Sequence, residues 1–270
     1  MSRAGAGRPA DTHIPAGLLV PALAGLCLLV IPLVGLAIRA PWRRLAEILG
    51  SEAVLAALRL SLVTASVATA ICLVLGVPLA WLLARSTVPG RRLLRGLVTV
   101  PLVLPPVIGG IALLVAFGRT GVVGRWLDQS LGITLPFTTV AVVLAQSFVA
   151  MPFLVIAVEG ALRSADPRYD DVAATLGASR WTTFRRVTLP SVLPGVVAGA
   201  VLCWARALGE FGATITFAGS FPGTTRTLPI EAYVAIGAGE TDTAVVLSLL
   251  MIGVAVAVLV GLRERWLVAR

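Results

Sequence analysis

The sequence predicts an all-α membrane protein of six transmembrane helices with N- and C-termini cytoplasmic. Three observations carry that prediction. Hydrophobic residues make up 58% of the 270, charged residues only 13%, and mean hydropathy is +0.97, whereas a soluble domain carries about 25% charge. Uncharged runs of bilayer length recur along the chain, each near the roughly 20 residues a helix needs to span the hydrocarbon. The arginines fall unevenly between the segments that join them. Helices rather than strands follow because lipid offers backbone groups no partners and the runs lack the alternation of a membrane barrel.

The first run, Ile14–Ile38, is longer than a secretory signal core, and Ala37-Ile38-Arg39 spoils an A-x-A cleavage site. It is expected to be a retained helix behind a cytoplasmic tail, residues 1–13. The second run is Leu60–Ala84 and the third Gly96–Gly118. Within the third, PLVLPPVIGG (Pro101–Gly110) holds three prolines and a glycine pair, which remove helical hydrogen bonds and bend the segment. Interrupted spans of this kind line substrate routes, with freed N–H groups facing an anion. Pro105 and Pro106 are therefore pathway candidates, although prolines are common in membrane helices generally. The fourth run is Ser130–Val158, and the fifth, Val187–Ala205, is expected to continue past Arg206 to about Gly219. The sixth, Thr243–Leu262, closes a transmembrane domain of residues 14–262 and leaves a cytoplasmic tail, 263–270.

All 22 basic residues are arginine. With the N-terminus inside, Arg3, Arg8, Arg85, Arg91, Arg92, Arg95, Arg163, Arg168, Arg180, Arg185, Arg186, Arg263, Arg265 and Arg270 are cytoplasmic. Arg39, Arg43, Arg44, Arg119, Arg125 and Arg226 are outside. This is the positive-inside pattern. It also accounts for the net charge of +9 without nucleic acid, for which no compact basic domain exists. Without a lysine, the chain cannot build the phosphate-binding loop whose lysine reaches the β- and γ-phosphates. No cofactor is expected on it, and any ATP hydrolysis must belong to another subunit. Cys27, Cys72 and Cys203 lie in apolar spans without metal or disulfide spacing, and the single histidine, His13, sits in the N-terminal tail. A metal site, a catalytic triad and an enzymatic role are accordingly not expected.

One polar interruption stands out, YDDVAATLGASRWTTFRRVTLPSVLPG from Tyr169. Asp166-Pro167 is a good helix start, and Asp170 and Asp171 lie near the positive end of that helix's dipole. Ala173, Ala174 and Ala178 leave a surface a partner can approach. Gly177 can take the left-handed conformation that ends a helix, and Ser179 can cap a second helix carrying Trp181, Phe184, Arg185 and Arg186. Leu189-Pro190 is expected to break that helix before the fifth span. A partnerless interfacial hairpin would account for Trp181 and the arginines but not for the acidic first helix.

A second feature lies inside the membrane, WARALGEFGATITFAG (Trp204–Gly219). Arg206 and Glu210 stand four apart and can pair on one helix face. Near the midplane a charge costs on the order of 2.5–3.5 kcal/mol, so such groups face a bundle interior or a cavity. Gly209 and Gly212 permit close helix contact, and Thr214 adds a hydroxyl. Two readings stay open: a substrate route, or an ion pair that only locks helices together.

These segments carry a resemblance. Asp171, Val172, Ala173, Gly177, Val187, Leu189 and Pro190 match in spacing the loop by which permease subunits of ATP-binding-cassette importers grip their ATPase. Asp171 and Val172 stand where glutamate and alanine are usual. PLVLPPVIGG, FGRTGVVGRWL (Phe117–Leu127), RALGEFGATITFAG and TRTLPIEAY (Thr225–Tyr233) resemble the permease of molybdate importers and, more loosely, those for sulfate/thiosulfate and tungstate. The resemblance covers nearly everything from about Leu55 onward. It implies a type I ABC importer permease fold in the bacterial inner membrane, working by alternating access as a homodimer. It further implies two ATP-binding subunits, which hold the ATP and Mg, and an extracytoplasmic oxyanion-binding protein that delivers molybdate. Asp166, Tyr169, Asp170, Asp171, Ala173, Gly177, Leu189 and Pro190 would form the coupling loop, within about 163–190. Arg206, Gly209, Glu210, Gly212, Thr214, Pro105 and Pro106 would line the pathway, and Pro222–Thr227 with Arg226 would meet the binding protein. A stand-alone secondary transporter is the remaining alternative, with Arg206, Glu210 and Glu159 its only candidate relay groups.

Overall fold

The computed structural model describes residues 16–267, with side chains for 17–258; the expected N-terminal tail, with Arg3, Arg8 and His13, lies outside the described residues, as does Arg270. Thirteen α-helices and one π-helical turn make up the described chain, which has no strand. They are α1 (Ala16–Arg39), α2 (Leu45–Leu49), α3 (Glu52–Arg85), α4 (Arg91–Val103), α5 (Pro106–Phe117), α6 (Val122–Leu131) and α7 (Thr139–Ser164). After these come α8 (Arg168–Thr175), α9 (Arg180–Thr183), the π turn Phe184–Thr188, α10 (Leu189–Leu208), α11 (Gly212–Phe217), α12 (Leu228–Gly237) and α13 (Thr241–Leu267).

Five helices are long and apolar enough to cross a membrane, and α4 with α5 makes a sixth span bent by 117°. The bend falls where expected. Leu104 is extended, as the residue before a proline prefers, and Pro105 and Pro106 start α5 where a missing N–H does no harm.

The core is a three-helix seam of α3, α7 and α10. Small residues make it possible. Gly195 and Gly199 stand four apart on α10, and a Cβ on them would lie 2.3 Å from Ala157's neighbour Ala161 Cβ and 3.0 Å from Ala157 Cβ, respectively. In a lipid environment, such close approach supplies the dispersion contacts that association relies on. The helix α1 leans on α13 and exposes most of its apolar surface, as a lipid-facing span must.

Two expectations are corrected. Leu189-Pro190 does not break the chain: Arg180–Leu208 is one continuous span. The π turn just before Pro190 carries an i→i−5 bond from Leu189 N–H to Phe184 O, and this wider turn accommodates a residue that can neither donate nor fit a regular turn. The fifth span, by contrast, does not run unbroken to Gly219. It ends at Leu208, and α11 begins only after Gly209, Glu210 and Phe211.

Candidate coupling surface and translocation route

The polar loop is built as a self-supporting hairpin. Asp166 Oδ1 accepts from the Arg168 N–H at 2.9 Å, fixing the entry to α8. Gly177 takes φ +79°, and the Ala178 N–H returns to Ala173 O at 3.0 Å, which ends the helix in the manner glycine allows. Ser179 Oγ then accepts from the Thr182 N–H at 3.2 Å and caps α9.

The expected coupling residues divide between two faces. Asp170 turns inward: its Oδ1 accepts from Thr188 Oγ1 at 2.8 Å, and its Oδ2 lies 3.7 Å from Arg85 Nη1. Arg85 also donates to Ala165 O at 3.2 Å, so α3, α7, α8 and the π turn are tied at one point. Ala173 is buried, and Leu189 partly so. Tyr169, Asp171, Val172 and Leu176 are exposed. Tyr169, Val172 and Leu176 lie on one helical face by their three- and four-residue spacing, an apolar face with a carboxylate beside it.

At the other site, the structure brings the two broken spans together. A Cβ on Gly212 would lie 2.8 Å from Pro106 Cβ, and one on Gly110 would lie 2.8 Å from Ala213 O. The backbones of α5 and α11 thus touch where side chains would stand. Glu210, 1% exposed, sits in the gap between α10 and α11. Its Oε1 accepts from the Ala213 N–H at 2.8 Å and its Oε2 is 2.6 Å from Arg206 Nη2. The carboxylate therefore satisfies a free donor of α11 while neutralising the arginine. Arg206 retains about a quarter of its side-chain exposure. Gly209 ends α10, its N–H bonded to Ala205 O at 3.2 Å. The Thr214 hydroxyl is buried with no partner among the described residues.

Sequence reasoning missed two groups. Gln146 of α7 is fully buried, and neither Oε1 nor Nε2 has a partner among the described residues. Buried polar groups are ordinarily satisfied, so this amide is an anomaly; the signal was a lone amide in an apolar span. The other is an ion triad. Glu159 of α7 lies 2.8 Å from Arg163 Nη2 and accepts from Arg95 Nε of α4 at 3.1 Å. Weighed from the sequence only as a candidate relay group, Glu159 here fastens the first half of the bent span to α7.

The Pro222–Thr227 loop is no loose turn. Thr225 Oγ1 accepts from the Phe221 N–H at 2.9 Å, and Arg226 donates to Ser220 Oγ at 3.0 Å. Pro222, Gly223, Arg226 and Glu231, with Glu52 and its neighbours, line a cleft of about 520 Å³.

Residues 76–269 match the family described as "Binding-protein-dependent transport system inner membrane component". The chain belongs to this family. It is a multi-pass permease of the inner membrane, and sequence relatives bear this out along nearly its whole length. The molybdenum transport system permease protein ModB of Mycobacterium tuberculosis is 52% identical over 254 residues, covering 94% of this chain and 96% of that one. The ModB protein of Escherichia coli K12 is 44% identical over 213 residues, covering 78% and 92%. Among solved structures, a bacterial ABC transporter that imports the acidic polysaccharide alginate contains a chain matching at TM-score 0.70 and 20% identity, over 90% of each chain. At that identity the likeness concerns the fold, the type I importer architecture.

Proposed function

We propose that this permease conducts molybdate inward, as one of two identical membrane subunits with both termini in the cytoplasm. A separate pair of ATP-binding subunits holds the Mg and ATP, and an extracytoplasmic oxyanion-binding protein delivers the cargo. The observation that carries the coupling is the mounting of α8: its outer face of Tyr169, Asp171, Val172 and Leu176 is free, while Asp170 on its inner face is tied to Arg85 and Thr188. A push on that face reaches the spans directly. The choice of molybdate follows the names of the relatives.

The route runs past the α5–α11 contact. Arg206 supplies attraction for a dianion, and Glu210 keeps it modest by pairing with the same guanidinium, since tight binding midway would trap the cargo. At Gly110 and Gly212 the backbones of α5 and α11 come together, and Leu113 of α5 packs with Ala213 and Phe217 of α11 beside them. This is an apolar contact, without hydrogen bonds among the described residues to hold it in one orientation as the two states exchange.

Cellular molybdenum accumulation at nanomolar molybdate, in a strain lacking the gene, tests this reading. Uptake lost with the gene, restored by the wild-type chain and resistant to excess sulfate is the expected result. Unchanged molybdenum with lost sulfate uptake would assign the permease to sulfate instead.

A further inference from the structure

At the boundary end of α3 a groove of about 290 Å³ opens between Pro78 and Trp81 of α3 and Arg180, Trp181 and Phe184 of the α9 region. Its aromatic wall is ordered: Trp181 stacks on Phe184 with centroids 5.7 Å apart, and Trp81 meets Phe184 edge-on at 6.5 Å. Yet Trp181 remains 68% exposed and Trp81 38%. Arg180 stands at the rim, and the exposed Arg185 and Arg186 follow on the adjoining π turn. None of the three forms an ion pair among the described residues, and no acidic residue lines the groove.

We infer that this groove holds one anionic phospholipid of the leaflet next to the α8–α9 loop, with an acyl chain on Pro78 and Trp81 and its phosphate at Arg180. Position selects a lipid over a protein. Arg85 ends α3, and Pro78 lies seven residues back, about 10 Å deeper at 1.5 Å per residue. An aqueous ATPase covering the loop does not reach that floor, whereas an acyl chain does. Amphipathic tryptophans favour the headgroup level. Three unpaired guanidiniums, with no acid beside them in the groove, favour a negative headgroup over a zwitterionic one, each arginine near the surface giving about fivefold enrichment. The inference does not depend on the cargo.

The test uses the full chain in lipid nanodiscs containing brominated phosphatidylglycerol or brominated phosphatidylcholine at equal mole fraction, read by tryptophan fluorescence. The anionic lipid is expected to quench more strongly, with the excess reduced in Trp81→Phe and lost in the combined Arg180→Gln, Arg185→Gln, Arg186→Gln variant. Native mass spectrometry of the wild-type chain, scored for retained phosphatidylglycerol over phosphatidylcholine, keeps the test independent of variant folding. Equal quenching by both lipids, an excess unaffected by the arginine changes, or no retained anionic lipid would overturn the assignment. Thiol labelling of Ser179→Cys in intact cells reports separately on the proposed topology: a loop labelled from outside removes the cytoplasmic orientation and leaves the lipid result standing.

Discussion

The α8 mount and the α5–α11 junction are both places where one part of the permease meets another, and they are built in opposite ways. At α8 the ties are polar and long: Asp170 reaches Thr188 and Arg85 across the hairpin. At α5–α11 the tie is apolar: Gly110 and Gly212 bring the backbones together, and Leu113, Ala213 and Phe217 pack beside them. A hydrogen-bonded mount fixes the direction of its partners, while an apolar close contact fixes their distance and leaves orientation to shape alone. The difference teaches that one junction is specified by polar geometry and the other by the fit of apolar surfaces.

Breaking the junction has the largest expected effect. Gly110→Val puts atoms within about 2.8 Å of α11 backbone, beyond the roughly 1–3 kcal/mol usual for overpacking; loss of folded protein on fluorescence-detected size exclusion, and of uptake, is the outcome. Next is Arg206→Gln, which strands the buried Glu210 carboxylate and costs on the order of 3–5 kcal/mol. Adding Glu210→Gln should recover most of the melting temperature. If the pair belongs to the route, uptake stays impaired in that double variant; recovered uptake would make it a structural lock only.

On the other side of the comparison, Asp170→Ala leaves the half-buried Arg85 without its carboxylate and should cost about 1–3 kcal/mol. ATPase co-purification should survive while ATP-driven uptake falls, whereas Asp171→Lys, on the outer face, should abolish co-purification with little change in melting. The smallest effect, and the one with the opposite sign, is expected from Gln146→Leu: a melting temperature raised by the equivalent of about 1 kcal/mol, because an unsatisfied buried amide is removed. Slowed uptake in that variant would place Gln146 beside the cargo.

The spans were legible because apolar runs of bilayer length have one physical solution in lipid, and the third span's bend was legible because Leu104-Pro105-Pro106 leaves no donors to continue with. The interruption in the fifth was not. Gly209 and Gly212 looked like packing glycines in a continuous helix, and what separates α10 from α11 is partly local, Glu210 capping the Ala213 N–H three residues on, and partly tertiary, Pro106 lying against Gly212. The hairpin's caps, Asp166, Gly177 and Ser179, were legible as local chemistry. Asp170's inward turn was hidden, since its partner Arg85 is far away in sequence. Pro190 misled because a π turn, unmarked in residue type, precedes it.

The glycine seam between α7 and α10 has a mechanical meaning. Both ends of the α8–α9 hairpin are rooted in that seam, one in each helix, so hairpin and helices turn as one lever. The arm from Leu189 to Leu208 is about 30 Å long by its twenty residues. On the route proposed above, a tilt of about 10° at the hairpin becomes a sweep of about 5 Å at the Leu208 end of that arm, beside Glu210, while the hairpin itself hardly shifts.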